Sequence, residues 1–75
     1  MKHFITGYNL KEDAQIFKIQ LALSLSDLAL IMGWADEGEC VFDHELSSDK
    51  IAEIEIASGV FLPKFLDLFL TTESD

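Results

Sequence analysis

The chain has 75 residues, and its fourteen carboxylates against five lysines, with no arginine, give a formal net charge of −9. A negative field of this size repels nucleic acid, anionic membranes and phosphate-bearing substrates, and it attracts basic protein surfaces. Because 49% of the residues are apolar, a disordered acidic tail is excluded and one small folded domain over residues 1–75 is predicted.

Cysteine usage and the first residues of the chain indicate a compartment. The single cysteine, Cys40, cannot form an internal disulfide. The residues from Met1 to Asn9 lack the long apolar stretch of a secretory signal, and no run approaches the roughly 18–20 apolar residues of a membrane span. We therefore expect a protein of the reducing cytoplasm.

Alternation of residue types predicts two strands at the start of the chain. The first is expected from His3 to Leu10 and the second from Ala14 to Leu23, and a short polar turn between them favours an antiparallel hairpin. A helix is expected to follow, with Ser24 as its N-terminal cap and Gly33 at its end in a left-handed conformation.

The second half of the chain predicts a strand, a helix and a further strand. Alternation from Cys40 to Leu46 indicates the third strand, and a serine cap begins a second helix over Asp49 to Ser58, which Gly59 ends. The fourth strand is expected from Lys64 to Thr71, although the phenylalanine spacing there also suits a helix. Residues Thr72 to Asp75 are expected to fray.

These elements predict an α+β fold in the order ββαβαβ. Two helices would cover one face of a four-stranded, mostly antiparallel sheet and form a second layer. The expected core consists of Phe4, Tyr8, Phe17, Ile19, Leu21, Leu28, Ile31, Phe42, Leu46, Ile51, Ile54, Leu66, Leu68 and Leu70.

The other face of the sheet is expected to be exposed, with apolar and charged side chains mixed on it. Such a mixture is typical of a protein interface, but a small domain also tolerates some apolar content on an exposed face. The side chains assigned to this face are Ile5, Ile16, Val41, Phe65 and Phe69, together with Lys18, Asp43, Glu45 and Asp67.

Most of the acidic residues lie between Asp36 and Glu55, where Lys50 is the only basic residue. Trp34 precedes this stretch and suits an interface anchor surrounded by charge; the alternative is a core residue that closes the first helix. The predicted partner-binding residues are Trp34, Asp36, Glu37, Glu39, Asp43, Glu45, Phe65 and Phe69.

No motif for catalysis, for a metal or for a cofactor is present. The acidic stretch does not follow the pattern of a calcium-binding loop. Cys40 and His44 are four residues apart, which on a strand separates them by about 13 Å; this spacing disfavours a zinc pair, for which only His3 could add a further nitrogen, and it argues against Cys40 and His44 as a thiol with its base. They are expected to be a buried and a partly buried packing residue, and no catalytic residue, metal ligand or cofactor is predicted.

Four segments of the chain carry a resemblance to known proteins: Leu23–Leu28, Gly33–Trp34, Val41–Leu46 and Phe65–Leu70. In this order they resemble small acidic bacterial immunity proteins, which neutralise a toxin, and an uncharacterised bacterial family of similar length. The resemblance implies a binder whose acidic surface covers the basic active site of a nuclease-type toxin, without catalytic residues of its own.

Two other functions stay open at this point. The chain is alternatively a self-associating domain, or an accessory subunit of a larger assembly, that uses the exposed sheet face as its contact. In that case Ile5, Val41, Phe65 and Phe69 would form the interface of a homodimer. A small enzyme is the third alternative, and no motif supports it.

Overall fold

The computed structural model describes residues 1–9 and 11–74. The predictions for Leu10, as a strand end, and for Asp75, as a frayed residue, fall outside these residues. The strands are β1 (Lys2–Asn9), β2 (Ala14–Leu21), β3 (His44–Glu45) and β4 (Asp67–Glu73). The helices are α1 (Leu25–Met32), a 3₁₀ helix (Glu37–Val41) and α2 (Ser48–Ser58).

The four strands form one antiparallel sheet in the order β2-β1-β4-β3. The last strand of the chain therefore lies between β1 and β3, so the order across the sheet differs from the order along the chain. The predicted α+β class is confirmed. In the part of the chain that the structure describes, no helix has the length and apolar character needed to cross a membrane.

One face of the sheet packs against both helices, and the core lies between them. Leu28 of α1 and Ile54 of α2 are fully buried against Ile5 and Leu70 of neighbouring strands. We call this the helix-covered face. The opposite side, the open face, carries Phe4, Thr6 and Tyr8 of β1, Lys18 and Gln20 of β2, Glu45 of β3, and Asp67, Phe69, Thr71 and Glu73 of β4.

Local chemistry explains where both helices begin and end. The side chains of Ser24 and Ser47 accept hydrogen bonds from backbone amides of the first helical turn, at 3.1 and 3.3 Å. Gly33 and Gly59 end the helices with φ angles of 72° and 76°, where a side chain would be strained. These four predictions are confirmed, and α2 begins at Ser48, slightly earlier than expected.

The predicted faces of β1 are reversed in the structure. Ile5, expected on the exposed face, is fully buried on the helix-covered face, whereas Phe4 and Tyr8, expected in the core, are half-buried on the open face. Gly7 lies on the helix-covered face, where an added Cβ would come within 2.9–3.1 Å of the side chains packed there. The core therefore approaches β1 so closely at this point that only glycine fits without displacement.

The segment predicted as the third strand is mostly not a strand. Asp36 accepts a hydrogen bond from the amide of Gly38 at 2.8 Å, a turn that begins the 3₁₀ helix and leaves only the two residues of β3 to pair with β4. Cys40 is buried as predicted, but Phe42, expected in the core, is 61% exposed. Val41 belongs to the 3₁₀ helix and not to the sheet.

The boundaries of two further strands differ from the prediction. Strand β2 ends before the predicted Leu23, and β4 starts after the predicted Lys64. Phe65 therefore precedes the sheet, and it is 85% exposed. Strand β4 continues through Thr72, which was expected to fray.

The core otherwise agrees well with the predicted set. Ile5 and Leu62 are the buried members that sequence reasoning missed, and Phe17, Ile19, Ile31 and Leu66 pack partly buried around them. Its buried hydrophobic residues are Ile5, Leu21, Leu28, Leu46, Ile51, Ile54, Leu62, Leu68 and Leu70.

Candidate protein-binding groove

A groove of about 350 Å³ opens on the open face, where β1 ends and β4 begins. Two aromatic rings and four carboxylates form it, and they come from three strands and two connecting segments. The lining residues are Tyr8, Asp13, Asp43, Glu45, Asp67 and Phe69. We call this surface the binding groove.

The antiparallel register brings the strand residues of the groove together. Tyr8 lies opposite Asp67, and Glu45 lies opposite Phe69. Residues directly opposite each other share a face and have Cβ atoms about 4.5–5.5 Å apart. The rings of Tyr8 and Phe69 meet edge to face, with centroids 5.5 Å apart and planes at 89°. Each ring therefore has a carboxylate on the neighbouring strand.

A β-bulge in β2 supports Tyr8 from its other side. The register shifts between Gly7, opposite Phe17, and Tyr8, opposite Gln15, so Ile16 has no partner in β1. The shift places Gln15 across from Tyr8, where its Oε1 accepts a hydrogen bond from the tyrosine hydroxyl at 3.4 Å. Ile16, predicted on the exposed face, is 53% exposed as the extra residue of the bulge.

The two remaining carboxylates come from connecting segments. Asp13, in the turn between β1 and β2, has a φ of 49°, a left-handed conformation that aspartate tolerates better than most residues with a side chain. Asp43 lies between the 3₁₀ helix and β3. Both reach the same groove as the carboxylates of the sheet.

The carboxylates of the groove are not neutralised within the described residues. The ion pairs of the described side chains join Lys18 to Glu73, Lys50 to Glu53 and Lys64 to Glu55. None of these pairs includes a groove carboxylate, and none of the four accepts a side-chain hydrogen bond from another described residue. The groove therefore combines apolar rings with uncompensated negative charge.

The opposite end of the open face is arranged differently. There the ammonium of Lys18 lies 4.4 Å from the centroid of the Phe4 ring. The same ammonium lies 2.5 Å from the carboxylate of Glu73. A lysine of the chain itself thus contacts both an aromatic ring and a carboxylate at this end.

The structure brings three of the predicted partner-binding residues into the groove, namely Asp43, Glu45 and Phe69. Phe65 lies beside it and lines an adjoining depression of about 300 Å³, which shares Tyr8 and Asp67 with the groove. Half of the predicted set is therefore assembled around one part of the open face.

Trp34 and Glu39 do not line the groove. Trp34 packs against the core, with its ring 5.0 Å from that of His44, which supports the alternative that it closes the first helix. The carbonyl oxygen of Glu39 accepts a hydrogen bond from Nε2 of His44 at 2.7 Å, which fixes that imidazole beside the tryptophan. Trp34 therefore has a packing role in this structure.

The other two predicted acids also have local partners. Asp36 caps the 3₁₀ helix through the amide of Gly38, and Glu37 accepts a hydrogen bond from the hydroxyl of Ser26 at 3.3 Å. We call Asp36, Glu37 and Glu39 the acidic loop. The acidic loop is exposed, but none of its three carboxylates is among the residues that line the groove with Tyr8 and Phe69.

Sequence reasoning missed three residues of the groove, namely Tyr8, Asp13 and Asp67. Asp67 was placed on the exposed face but not in the binding set, although it is two residues before Phe69 and therefore shares its face. Tyr8 was assigned to the core because the faces of β1 were reversed. Nothing in the sequence indicates that Asp13 turns toward the same surface.

The structure changes the argument about Cys40 and His44. Cys40 lies on the 3₁₀ helix, so the strand spacing that separated the two residues does not apply. Cys40 is buried, and His44 is half-buried with its Nε2 already donating to a carbonyl oxygen. Over residues 1–9 and 11–74, no group of three or more histidine, cysteine, aspartate or glutamate side chains is arranged to hold a metal ion.

Comparisons with protein-family models, with curated proteins and with solved structures find no match. The resemblance to immunity proteins therefore stays a prediction. The groove and the charge of the surface around it are the basis for a proposal about function.

Proposed function

We propose that this chain is a small acidic protein-binding module that inhibits a basic protein, such as a nuclease-type toxin in the cytoplasm, by covering its active site. The observation that carries the proposal is the binding groove, which places two aromatic rings and four carboxylates without an ion pair to any described residue in one concave surface. Aromatic anchors supply most of the affinity of many interfaces. Carboxylates complement the cationic sites that nucleases use for phosphates.

Charge and shape contribute to different steps of such an interaction. The net charge of −9 attracts a basic protein and raises the rate of association. Salt weakens this attraction, since the screening length is about 10 Å at 0.1 M ionic strength. The rings of Tyr8 and Phe69 act after contact, because their burial against the partner slows dissociation.

The proposal is tested by affinity capture from the source cells, followed by calorimetric titration of the captured protein in purified form. We expect a basic protein that cleaves nucleic acid and loses this activity when one equivalent of the chain is added. The triple substitution Asp43→Asn, Glu45→Gln and Asp67→Asn should weaken binding about ten- to a hundredfold, or ~1.4–2.8 kcal/mol.

The matched control removes the same charge from the acidic loop with Asp36→Asn, Glu37→Gln and Glu39→Gln. Because both triples change the net charge equally, a difference between them reports position and not total charge. We expect the acidic-loop triple to change mainly the association rate and its salt dependence. A captured partner that is acidic, or whose affinity does not change with salt, would contradict the proposal.

A second candidate function, self-association, is favoured by a different surface from the one predicted. Ile5 is buried and Val41 is not on the sheet, so the predicted homodimer face does not exist as described. Instead, Ile56 and Phe61 are 85% and 94% exposed and line a groove of about 290 Å³ beside α2. Exposed apolar residues of this size often mark a contact surface.

The charges near this second surface are paired. Glu55, which lines it, is hydrogen-bonded to the Lys64 ammonium and to the amide of Leu62, and both contacts lower its pKa. Glu53 lies 3.5 Å from Lys50. A second copy would therefore meet less repulsion here than at the binding groove.

Sedimentation equilibrium over a range of concentrations separates the two candidates. A dimer that Phe61→Ser dissociates, and that Phe65→Ser leaves intact, would favour self-association through the surface beside α2. A monomer at all concentrations would leave the inhibitor as the supported function, since an inhibitor of this kind needs no second copy.

A further inference from the structure

We infer that the binding groove takes one arginine side chain of a basic partner, with the guanidinium between the carboxylates and against the Tyr8–Phe69 pair. This inference rests on the proposed function, because it names the group of the partner that enters the groove. The rings of Tyr8 and Phe69, which meet edge to face, form the apolar part of the groove.

The other end of the same sheet face already binds a cationic side chain. There Lys18 crosses β1, with its ammonium 4.4 Å from the Phe4 ring and 2.5 Å from Glu73. A cation within about 6 Å of an aromatic centroid is attracted by the ring, and a nearby carboxylate adds to this attraction. The open face therefore already holds one cationic side chain on a ring beside a carboxylate.

The binding groove repeats these components without a lysine of the chain. Phe69 and Tyr8 take the place of Phe4, and the carboxylates of Asp67 and Glu45 take the place of Glu73. No described lysine lies within ion-pair distance of these two carboxylates. Charge complementarity therefore points to a cationic side chain from another molecule as the occupant.

The arrangement of the groove favours arginine over lysine. Asp67 precedes Phe69 by two residues on β4, whereas Glu45 lies opposite Phe69 on β3, so the two carboxylates flank the ring from separate backbone positions. A planar guanidinium has five donors and also stacks on an aromatic face, whereas an ammonium is a compact and strongly hydrated point charge. An apolar wall with several separated acceptors fits the guanidinium better.

The test is a titration of the ¹⁵N-labelled chain, followed by NMR, with N-acetyl-arginine amide as the probe. N-acetyl-citrulline amide is the matched control, since it has almost the same shape without the charge, and N-acetyl-lysine amide tests the choice of cation. We expect the amide signals of Tyr8, Glu45, Asp67 and Phe69 to move with arginine, with a dissociation constant on the order of millimolar. Citrulline should bind at least about tenfold more weakly, and lysine about threefold more weakly.

Two variants report the contribution of each component. Glu45→Gln with Asp67→Asn removes charge, and Phe69→Leu removes a ring while keeping apolar volume, so each should weaken arginine binding about three- to tenfold. The acidic-loop triple should bind the probe like the unmodified chain. Unchanged spectra of the other residues will show that the variants are folded.

The outcomes separate this inference from the proposed function. If arginine and citrulline move the same signals equally, or if the signals of the groove do not move at 50 mM probe, about fifty times a millimolar constant, the arginine subsite is wrong. A basic partner that still binds the chain and is sensitive to the groove triple would then keep the proposed function. Conversely, arginine binding in the groove without any basic partner in the source cells would keep the subsite and remove the inhibitor.

Discussion

The two faces of the sheet are formed by the same strands in the same register, but they carry different kinds of side chain. The helix-covered face buries a continuous set of apolar side chains that includes Ile5, Leu68 and Leu70. Among the described residues, the open face instead buries the hydroxyl of Thr6 without a hydrogen-bond partner and gathers carboxylates without ion pairs around two rings. Features that lower stability are usually retained where function needs them, so the contrast supports the proposal that the open face binds the partner.

The largest effect on folding is expected on the helix-covered side, where Ile54 of α2 is fully buried. Ile54→Ala should lower the free energy of unfolding by about 2–5 kcal/mol, because it removes buried apolar surface and leaves a cavity. Ile56 of the same helix is the matched control, since it is 85% exposed. Ile56→Ala should change the free energy of unfolding by less than about 0.5 kcal/mol.

Urea denaturation of both variants measures this difference. Neither substitution should alter the affinity of the folded protein for N-acetyl-arginine amide, because neither residue lines the groove. Equal losses of stability from the two substitutions would mean that α2 does not pack on the sheet through the side that carries Ile54.

A smaller effect of opposite sign is expected on the open face. Thr6 is 4% exposed and its hydroxyl has no partner among the described residues, so Thr6→Val replaces an unsatisfied buried group by a methyl group of similar size. We expect a gain of about 1 kcal/mol in the free energy of unfolding. Thr72, whose hydroxyl is hydrogen-bonded to Nδ1 of His3 at 2.9 Å, is the matched control.

The same chemical change at Thr72 should have the opposite consequence. Thr72→Val breaks an existing hydrogen bond and should cost about 0.5–1.5 kcal/mol. Thermal unfolding of the two variants gives the sign directly. Destabilisation by Thr6→Val would show that its hydroxyl has a partner after all, and the contrast between the two faces would lose one of its supports.

The helices were predictable because their signals are local. Ser24 and Ser47 cap helices through amides only a few residues away, and Gly33 and Gly59 end them by a conformation that glycine adopts at little cost. Ile51 and Ile54, both predicted for the core, lie three residues apart on one face of α2 and are buried. None of these features depends on how distant parts of the chain pair.

The faces of β1 were not predictable from alternation, because both sets of alternate residues contain large apolar side chains. The deciding feature is the close approach of the core at Gly7, which requires knowledge of what packs there. The helical turn at Asp36 competed with the alternation that followed it and replaced most of the expected third strand. The prediction of the third strand rested on alternation alone and did not take this turn into account.

The groove depended on long-range pairing. Tyr8 and Asp67 are opposite each other only because β4, from the end of the chain, lies next to β1. The sequence indicated acidic residues near aromatic ones, and this was sufficient to name Asp43, Glu45 and Phe69. It did not indicate which of the many acids the register would bring together.

The smallest predicted effect is a pH dependence of the free energy of unfolding that comes from His3 on the helix-covered face. His3 is 6% exposed, and its pKa is lowered, mainly by burial and to a lesser extent by the positive charge of the amino terminus. The folded state thus favours the neutral imidazole, whereas the unfolded chain takes up a proton near pH 6.5, the ordinary value for histidine. Because the unfolded state binds more protons below that pH, stability should fall as the pH decreases from about 6.5 toward the lower pKa of the folded state.

Replacing His3 by glutamine should remove this part of the pH dependence while leaving the decrease that carboxylate protonation causes at lower pH. The measurement is the free energy of unfolding of both proteins at intervals from pH 8 to pH 5. The loss of the hydrogen bond to Thr72 lowers the His3→Gln curve at every pH, so the slope between pH 7 and 5.5 is the relevant quantity and not the absolute value. If that slope is the same in both proteins, another group titrates there, and the burial of His3 does not tie the stability of the helix-covered face to pH.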